Sequence, residues 1–415
     1  MSEPASSDAR LAEMASPLAW LRDLLWPVDS GSQVALTRGG GRSSSDVGMW
    51  ALMPSAANPT VLIPVSGRAG GSALRQFNDS MSQMARVRKA VVGAAVRRGG
   101  GALVARDRLV VTKVGVGAEA LDLMGSVLPR ILGEPRIEVA ISIGRQLRPN
   151  LKPVLQIMDP EGVVLAYAKI GWNDLTKDLV RNEARTLRAW GSAPPRQLEV
   201  PRLIHEGDWN GSAITVLSPN PHRLFRRGRR NALPSADILG EVASLGGTEL
   251  APLGASLYWA RLKERIDGIA MTEASRNALR SVLTRLEASR GDQELRFGSS
   301  HGDLAPWNMS LAGGKLFVWD WERCARPTPV GSDALHFWFE VGFHKEGLDV
   351  PTASRSALTR SLETFDRLGI AHPARDTLLQ LFLIERMLRV EEGRVAGVPV
   401  HRDLSAALLR ELSGG

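Results

Sequence analysis

The sequence has little cysteine, no long apolar run and no phosphate-binding loop of the common glycine–lysine type. With Cys324 as its one cysteine, the chain cannot form an internal disulfide, which is typical of a reducing compartment. No apolar stretch is long enough to cross a bilayer. The first residues include Glu3, Asp8 and Glu13 where an export signal would have basic and apolar stretches. These absences predict a cytoplasmic protein without membrane insertion.

The length and composition fit a globular protein of two or three domains. The chain has 415 residues, 44% of them hydrophobic and 23% charged, so a large apolar core can form. The formal net charge of +8 raises nucleic acid as a partner. No nucleic-acid-binding pattern accompanies the charge, and a basic protein that binds nucleotide phosphates is the preferred interpretation.

Two glycine-containing segments were candidates for a phosphate cradle. Residues 37–48 (TRGGGRSSSDVG) lack the Lys-Ser/Thr ending of a P-loop, which favours a plain loop. The segment Gly144–Asn150 has a single glycine, so backbone N–H groups there are a weak candidate for binding phosphate.

Hydrophobic periodicity divides the chain into three parts. Residues 1–105 form an α/β extension or cap of unknown role, with an N-terminal helix, two strands and a helix over about 71–96. Residues 106–218 alternate strands with a helix at 118–132 and another at about 176–190, which is the order of a small nucleotide-binding lobe. Residues 219–415 are mostly helical. The predicted fold class is α+β.

The most informative segment is His301–Asn308 (HGDLAPWN), followed by Trp319–Glu322 (WDWE). An Asp five residues before an Asn, with a second Asp after a short turn, is typical of phosphoryl-transfer sites. Asp303 is the predicted base, which orients the attacking hydroxyl. Asn308 and Asp320 are the predicted Mg²⁺ ligands, since Mg²⁺ prefers oxygen donors. A hairpin that pairs 309–311 with 316–318 would bring both ligands to one end.

Upstream residues supply candidates for binding the nucleotide. Lys169 ends an apolar strand, and Glu183 lies on the following helix, so the two are predicted to pair and position the α and β phosphates. Leu217 and Ser218 lie where a connector between lobes would offer backbone hydrogen bonds to adenine. His301 is predicted to support the loop structurally rather than to carry a proton.

Several other features have two interpretations. The arginine run 223–230 could clamp an anionic substrate, but a solvated loop is favoured. Core packing is likewise favoured over sugar stacking for the tryptophans, namely Trp259, Trp321 and Trp338. Glu391 and Glu392 could contact a cationic amino sugar, and a surface helix explains them equally well.

On these motifs, together with AKIG around Lys169 and NEARTL around Glu183, the sequence resembles the aminoglycoside phosphotransferase/choline kinase family. The resemblance covers about 135–345. It implies a protein-kinase-like bilobal fold, ATP with GTP as the alternative, Mg²⁺, and a small hydroxylated acceptor such as an amino sugar, sugar, aminoglycoside or amino alcohol. It also implies that Asp333 braces the catalytic loop.

The sequence departs from the family in three places. Ala305 stands where the family often has His, the phosphate loop is poor in glycine, and the first hundred residues have no counterpart in minimal members. Some bacterial sugar kinases of the superfamily carry an N-terminal cap, which this segment resembles. Two rival functions remain: a nucleotide-binding scaffold without catalysis, and a protein kinase, against which the short segment between Trp321 and Asp333 argues.

Overall fold

The computed structural model describes residues 17–38, 46–65, 67–76, 107–115, 119–144, 150–220, 233–312, 314–397 and 404–413. The chain divides into two compact units. The first unit comprises Met1–Arg181 and Arg202–Pro221, and the second comprises Asn182–Pro201 and His222–Gly415. The mixed α+β class expected from the sequence is confirmed. No helix in the described part of the chain is long and apolar enough to cross a membrane.

The first unit is built on one antiparallel sheet. Among the described residues it has nine strands, in the order β1-β4-β2-β3-β5-β6-β7-β10-β9. In chain order the strands are β1 (Ser32–Arg38), β2 (Asp46–Met53), β3 (Val61–Pro64), β4 (Asp107–Lys113), β5 (Glu138–Ser142), β6 (Val154–Met158), β7 (Val164–Gly171), β9 (Leu203–Trp209) and β10 (Ser212–Leu217). Strands from before and after residue 105 therefore hydrogen-bond within the same sheet.

The side chains of each strand alternate between the two faces of the sheet. Apolar clusters pack on both faces. On one face, Leu21 of helix α1 (Pro17–Leu25) joins a buried cluster that extends through Trp50 to Val216. On the other face, a smaller cluster includes Ala69 of helix α2 (Gly67–Gln76). The N-terminal segment thus shares its hydrophobic core with the later strands.

Two of the helices predicted in this unit are those at about 71–96 and at 118–132. The helix expected over 118–132 is wrong as a single element: it is a 3₁₀ turn, a π-helical turn (Leu123–Val127) and a short helix α3 (Leu128–Leu132). The Asp122 carboxylate accepts the N–H of Gly125 at 2.8 Å, which starts a new helical segment there. Residues 77–96 of the other predicted helix lie outside the described residues.

The second unit is mainly helical. Helix α4 (Asp174–Ser192) begins in the first unit and ends in the second. The others are α5 (Ala236–Ser244), α6 (Leu257–Gly268), α7 (Glu273–Arg290), α8 (Ser332–Glu340), α9 (Val350–Arg367), α10 (His372–Val395) and α11 (Leu404–Ser413). The side chain of Ser235 caps α5 by accepting the N–H of Ile238. Helix α8, which contains Asp333, was not predicted.

Two small sheets lie among these helices. One contains β11 (Glu249–Pro252), β12 (Glu294–Ser300) and β15 (Ala325–Pro329), and the other contains β13 (Met309–Ala312), β14 (Lys315–Val318) and β8 (Leu198–Glu199). Strands β13 and β14 pair with Met309 opposite Val318, so the predicted hairpin is confirmed. The segment 301–308 is the loop that joins β12 to β13.

Candidate active site

The loop that carries Asp303 is fixed by a buried carboxylate. Asp333, in the first turn of α8, accepts the backbone N–H of His301 at 2.7 Å and that of Gly302 at 3.0 Å. Gly302 has a φ of +76°, and a Cβ there would overlap the carbonyl oxygen of Arg323. Glycine is the residue that adopts this positive φ readily and leaves room for the Arg323 carbonyl. This explains why a glycine precedes Asp303.

His301 holds the loop from inside. Its Nδ1 accepts the N–H of Asp303 at 3.2 Å, so the proton is on Nε2, which donates to the carbonyl of Trp319 at 3.1 Å. Burial lowers the pKa of His301, which keeps this neutral tautomer. The ring also packs against Trp321 at 4.5 Å between centroids. His301 is therefore placed to order the backbone at Asp303.

The Asp303 carboxylate has different neighbours at its two oxygens. Asn308 Nδ2 donates to Oδ2 at 3.0 Å and also to the Asp303 carbonyl at 2.9 Å. His336 Nε2 and Arg389 Nη1 each lie 3.5 Å from Oδ1. The side chain remains 31% exposed, so a small molecule can reach it.

These neighbours determine the ionisation of Asp303. Burial raises its pKa, but the proximity of His336 and the positive charge of Arg389 outweigh burial and hold the pKa well below the usual range. Asp303 is therefore a stable carboxylate with weak basicity. Such a group can orient a hydroxyl by accepting its hydrogen bond, and it takes the proton readily only after the hydroxyl oxygen has begun to bond.

Asn308 and Asp320 flank the hairpin. The N–H of Trp319 donates to the carbonyl of Asn308 at 3.0 Å, which extends the pairing of β13 and β14 to the residues beside them. Since Asn308 uses Nδ2 to bind Asp303, its amide oxygen is the atom that can meet a cation. Asp320 has φ +70° and ψ +50°, a left-handed conformation that costs a residue with a Cβ about 1 kcal/mol. Such strain is commonly retained at functional positions.

A group of three carboxylates lies within the second unit. Oxygens of Glu183, Asp320 and Glu322 fall within 4.8 Å of one another. Glu183 is fully buried, and its Oε1 accepts the N–H of Trp321 at 3.2 Å. The neighbouring Asn182 donates to the carbonyl of Glu322 at 2.9 Å, so α4 fixes the WDWE segment. Hard oxygen donors in this number suit a divalent cation such as Mg²⁺.

The remaining predicted residues lie in the first unit. Lys169 is half-buried on β7, opposite Thr215 of β10, on the face away from the larger core cluster. The Thr215 hydroxyl donates to the carbonyl of Val180, so the first part of α4 covers this face. Leu217 is buried, and the Ser218 N–H already donates to the carbonyl of Arg202 at 2.9 Å.

Sequence reasoning missed three residues at this site. Glu322 is two positions after Asp320 and could have been included as a third acidic candidate. His336 and Arg389 lie on α8 and α10, 33 and 86 residues after Asp303, and no local pattern pointed to either. The arginine run 223–230 and residues 145–149 of the proposed phosphate loop lie outside the described residues.

The tryptophans separate into core and surface residues. Trp259 and Trp321 are fully buried, as favoured from the sequence, and Trp338 lies under the Arg360 guanidinium at 5.2 Å. Trp307 of the HGDLAPWN loop is instead 43% exposed and contacts His344 edge-on at 5.9 Å. Trp307 therefore presents an exposed aromatic face on this loop.

Comparison with known proteins gives matches through structure. No family model matches this sequence, and no curated protein matches it. Solved structures that match include aminoglycoside phosphotransferase APH(4)-Ia in a ternary complex with ADP and hygromycin B, at 11% identity over 70% of this chain and 97% of that chain (TM-score 0.47). Amicoumacin kinase hAmiN matches at 12% over 66% and 88% (TM-score 0.42). Choline kinase LicA from Streptococcus pneumoniae matches at 15% over 67% and 92% (TM-score 0.39).

These proteins carry the names of kinases and phosphotransferases that act on small molecules, the group that the motif around Asp303 resembles.

Proposed function

We propose that this protein is a kinase that transfers the γ-phosphoryl group of ATP, or of GTP, to a hydroxyl of a small molecule. One observation carries the proposal: the exposed Asp303 carboxylate is held by Asn308 on a loop that Asp333 pins through two backbone hydrogen bonds. A carboxylate fixed in this way and open to solvent is suited to orient a nucleophile.

Asp303 acts mainly by orientation. The acceptor hydroxyl donates its hydrogen bond to the carboxylate, which aims the oxygen at the γ-phosphorus. A bond forms between that oxygen and phosphorus, the bond from phosphorus to the leaving β-phosphate oxygen breaks, and the hydroxyl proton passes to Asp303. A loose transition state needs little proton transfer at first, so the low pKa of Asp303 is compatible with this role.

The divalent cation is assigned to Asn308 and Asp320, with Glu322 as a further oxygen donor. When bound, Mg²⁺ neutralises charge on the nucleotide phosphates. The donor set of one amide oxygen and clustered carboxylates supports this assignment. Lys169 and Glu183 are proposed to position the α and β phosphates, and Leu217 and Ser218 to lie beside the base.

The test is Mg²⁺-dependent phosphorylation of an acceptor panel by wild type and by Asp303→Asn. We expect the variant to bind nucleotide with unchanged affinity and to lose at least about a hundredfold in kcat. Asp292→Asn removes an exposed carboxylate of the same unit and should leave kcat unchanged. Nucleotide binding is followed by calorimetry, and turnover by release of nucleoside diphosphate.

Three results would contradict the proposal. Equal turnover by wild type and Asp303→Asn would remove the role of Asp303. Tight nucleotide binding without turnover of any acceptor would favour the scaffold function, and labelling of proteins in an extract would favour a protein kinase.

A further inference from the structure

The surface beside Asp303 Oδ1 is basic. Arg389 of α10 places Nη1 3.5 Å from this oxygen, and its side chain is 25% exposed. Burial, and after it the positive charges of Arg323 and Arg386, lower the pKa of Arg389 to about 10. Of these two further positive charges, that of Arg386 is paired with Glu340 at 2.6 Å.

Two acidic residues of the same helices, Glu340 and Glu385, are already paired with other groups. Glu340 of α8 lies 2.6 Å from Arg386 and 3.2 Å from His344. Glu385 of α10 lies 2.7 Å from Arg265, so its negative charge is paired with that arginine. Neither carboxylate is therefore available to neutralise Arg389 fully.

The two acids considered for a cationic amino sugar are engaged as well. Glu391 lies 2.8 Å from Arg394, and Glu392 lies 2.9 Å from Arg265. An amine that approached this helix would have to displace a guanidinium. The arrangement therefore disfavours a cationic acceptor here.

Arg323 and Arg389 retain binding capacity. Arg323 makes no ion pair with any residue that the structure describes. The contact of Arg389 with Asp303, at 3.5 Å, is longer than the 2.7–2.9 Å of a charge-assisted hydrogen bond. Arg323 also follows the WDWE segment directly, and its backbone packs on Gly302, the residue before Asp303.

The two oxygens of the Asp303 carboxylate have different neighbours, and these show on which side of the carboxylate Arg389 lies. Oδ2 is bound by Asn308, the proposed Mg²⁺ ligand, whereas Oδ1 meets Arg389 and His336. Arg389 therefore lies on the side of the carboxylate away from Asn308. A ligand bound there would be the acceptor, since the cation and the nucleotide phosphates belong to the Asn308 side.

We propose that the acceptor is an anion: a small hydroxylated molecule with a carboxylate or a phosphate group, which binds Arg389 and Arg323 while its hydroxyl meets Asp303. This inference rests on the proposed kinase function. Planar guanidinium groups bind carboxylate and phosphate oxygens through paired hydrogen bonds, which would satisfy both arginines. The same groups would repel an aminoglycoside or choline.

The first experiment compares matched acceptors. Glucose is paired with glucose 6-phosphate, galactose with galacturonate, and glucosamine serves as the cation. Turnover with Mg-ATP is measured, and the melting temperature is measured with AMP-PNP. We expect the anionic member of a pair to be phosphorylated with kcat/KM at least about tenfold higher, and to be the member that raises the melting temperature.

The second experiment removes the charge. Arg323→Met and Arg389→Met should each raise KM for the anionic acceptor by about 10- to 100-fold, with KM for ATP changed less than about twofold. Arg323→Lys should recover part of the loss, which a purely structural role would not predict. Arg290→Met, at the exposed end of α7, is the matched control and should change neither KM.

Each failure has a separate meaning. Neutral, cationic and anionic acceptors could be phosphorylated equally well, by wild type and by Arg323→Met alike. That result would overturn the proposal of an anionic acceptor but would leave the kinase function standing. A rise in KM for ATP in place of the acceptor would assign the arginines to the nucleotide and also overturn it. If no acceptor is phosphorylated, the kinase function fails. Binding then decides: a melting shift caused by an anionic sugar and lost in Arg323→Met supports the site, and no shift overturns it.

Discussion

Replacement of Asp333 by Asn tests how the catalytic loop is held. The carboxylate is 7% exposed and accepts two backbone hydrogen bonds, from His301 and Gly302, at 2.7 and 3.0 Å. The asparagine side chain has the same shape but only one oxygen. It can therefore accept one of the two N–H groups, and its NH₂ group faces the other N–H, which then has no acceptor. Loss of a hydrogen bond to a charged group costs about 1.5–3 kcal/mol. We expect Asp333→Asn to lower the free energy of unfolding of the second unit by about 2–3 kcal/mol.

The assay is urea unfolding followed by tryptophan fluorescence, because Trp190 and Trp321 meet edge-to-face in the same unit, with 5.5 Å between ring centroids. Asp267→Asn is the matched control: its carboxylate also accepts two hydrogen bonds, both from Arg280, but it is 57% exposed. That variant should lose less than about 1 kcal/mol. A loss below about 0.5 kcal/mol for Asp333→Asn, or equal losses for the two variants, would refute the role of burial in this argument.

Three further predictions concern the same region. Gly302→Ala should destabilise by about 2 kcal/mol or more, because the added Cβ meets the Arg323 carbonyl in a left-handed conformation, whereas Gly347→Ala, left-handed but in open space, should cost about 1 kcal/mol in the same urea assay. Burial raises the pKa of Cys324 to about 12, so a thiol reagent at about pH 8 should modify the folded protein at least tenfold more slowly than the unfolded chain. Burial raises the pKa of Asp303, but His336 and Arg389 lower it by more, so the carboxylate stays ionised as the pH falls. The pH profile of kcat should therefore show no decrease caused by Asp303 down to about pH 5. A decrease caused by Asp303 above that pH would contradict the assignment of a low pKa.

Local patterns predicted the centre of the site because the chemistry is carried by neighbours in the chain. Asp303 and Asn308 share one loop, and the two short strands expected at 309–311 and 316–318 were enough to predict the hairpin that leads to Asp320. In each case the interaction spans a few residues, so the sequence determines it without knowledge of packing.

The residues that adjust the charge of Asp303 could not be found in this way. His336 and Arg389 reach Oδ1 from two helices whose amphipathic patterns explain them equally well as ordinary surface or core positions. The helix expected at 118–132 failed for a different, local reason: its composition suits a helix, but the Asp122 carboxylate accepts the Gly125 N–H and restarts the backbone.

The order of strands in the first unit has a consequence for shortening the chain. Three of the nine described strands, β1, β2 and β3, come from before residue 105. Strand β4 lies between β1 and β2, and β5 hydrogen-bonds to β3. A shortened chain that starts after residue 105 would leave β4 with neither neighbour and would open one side of β5. Unpaired strand edges join other chains readily, so such a fragment should aggregate rather than bind nucleotide on its own. Any exchange of this segment between related proteins would have to carry β4 with it.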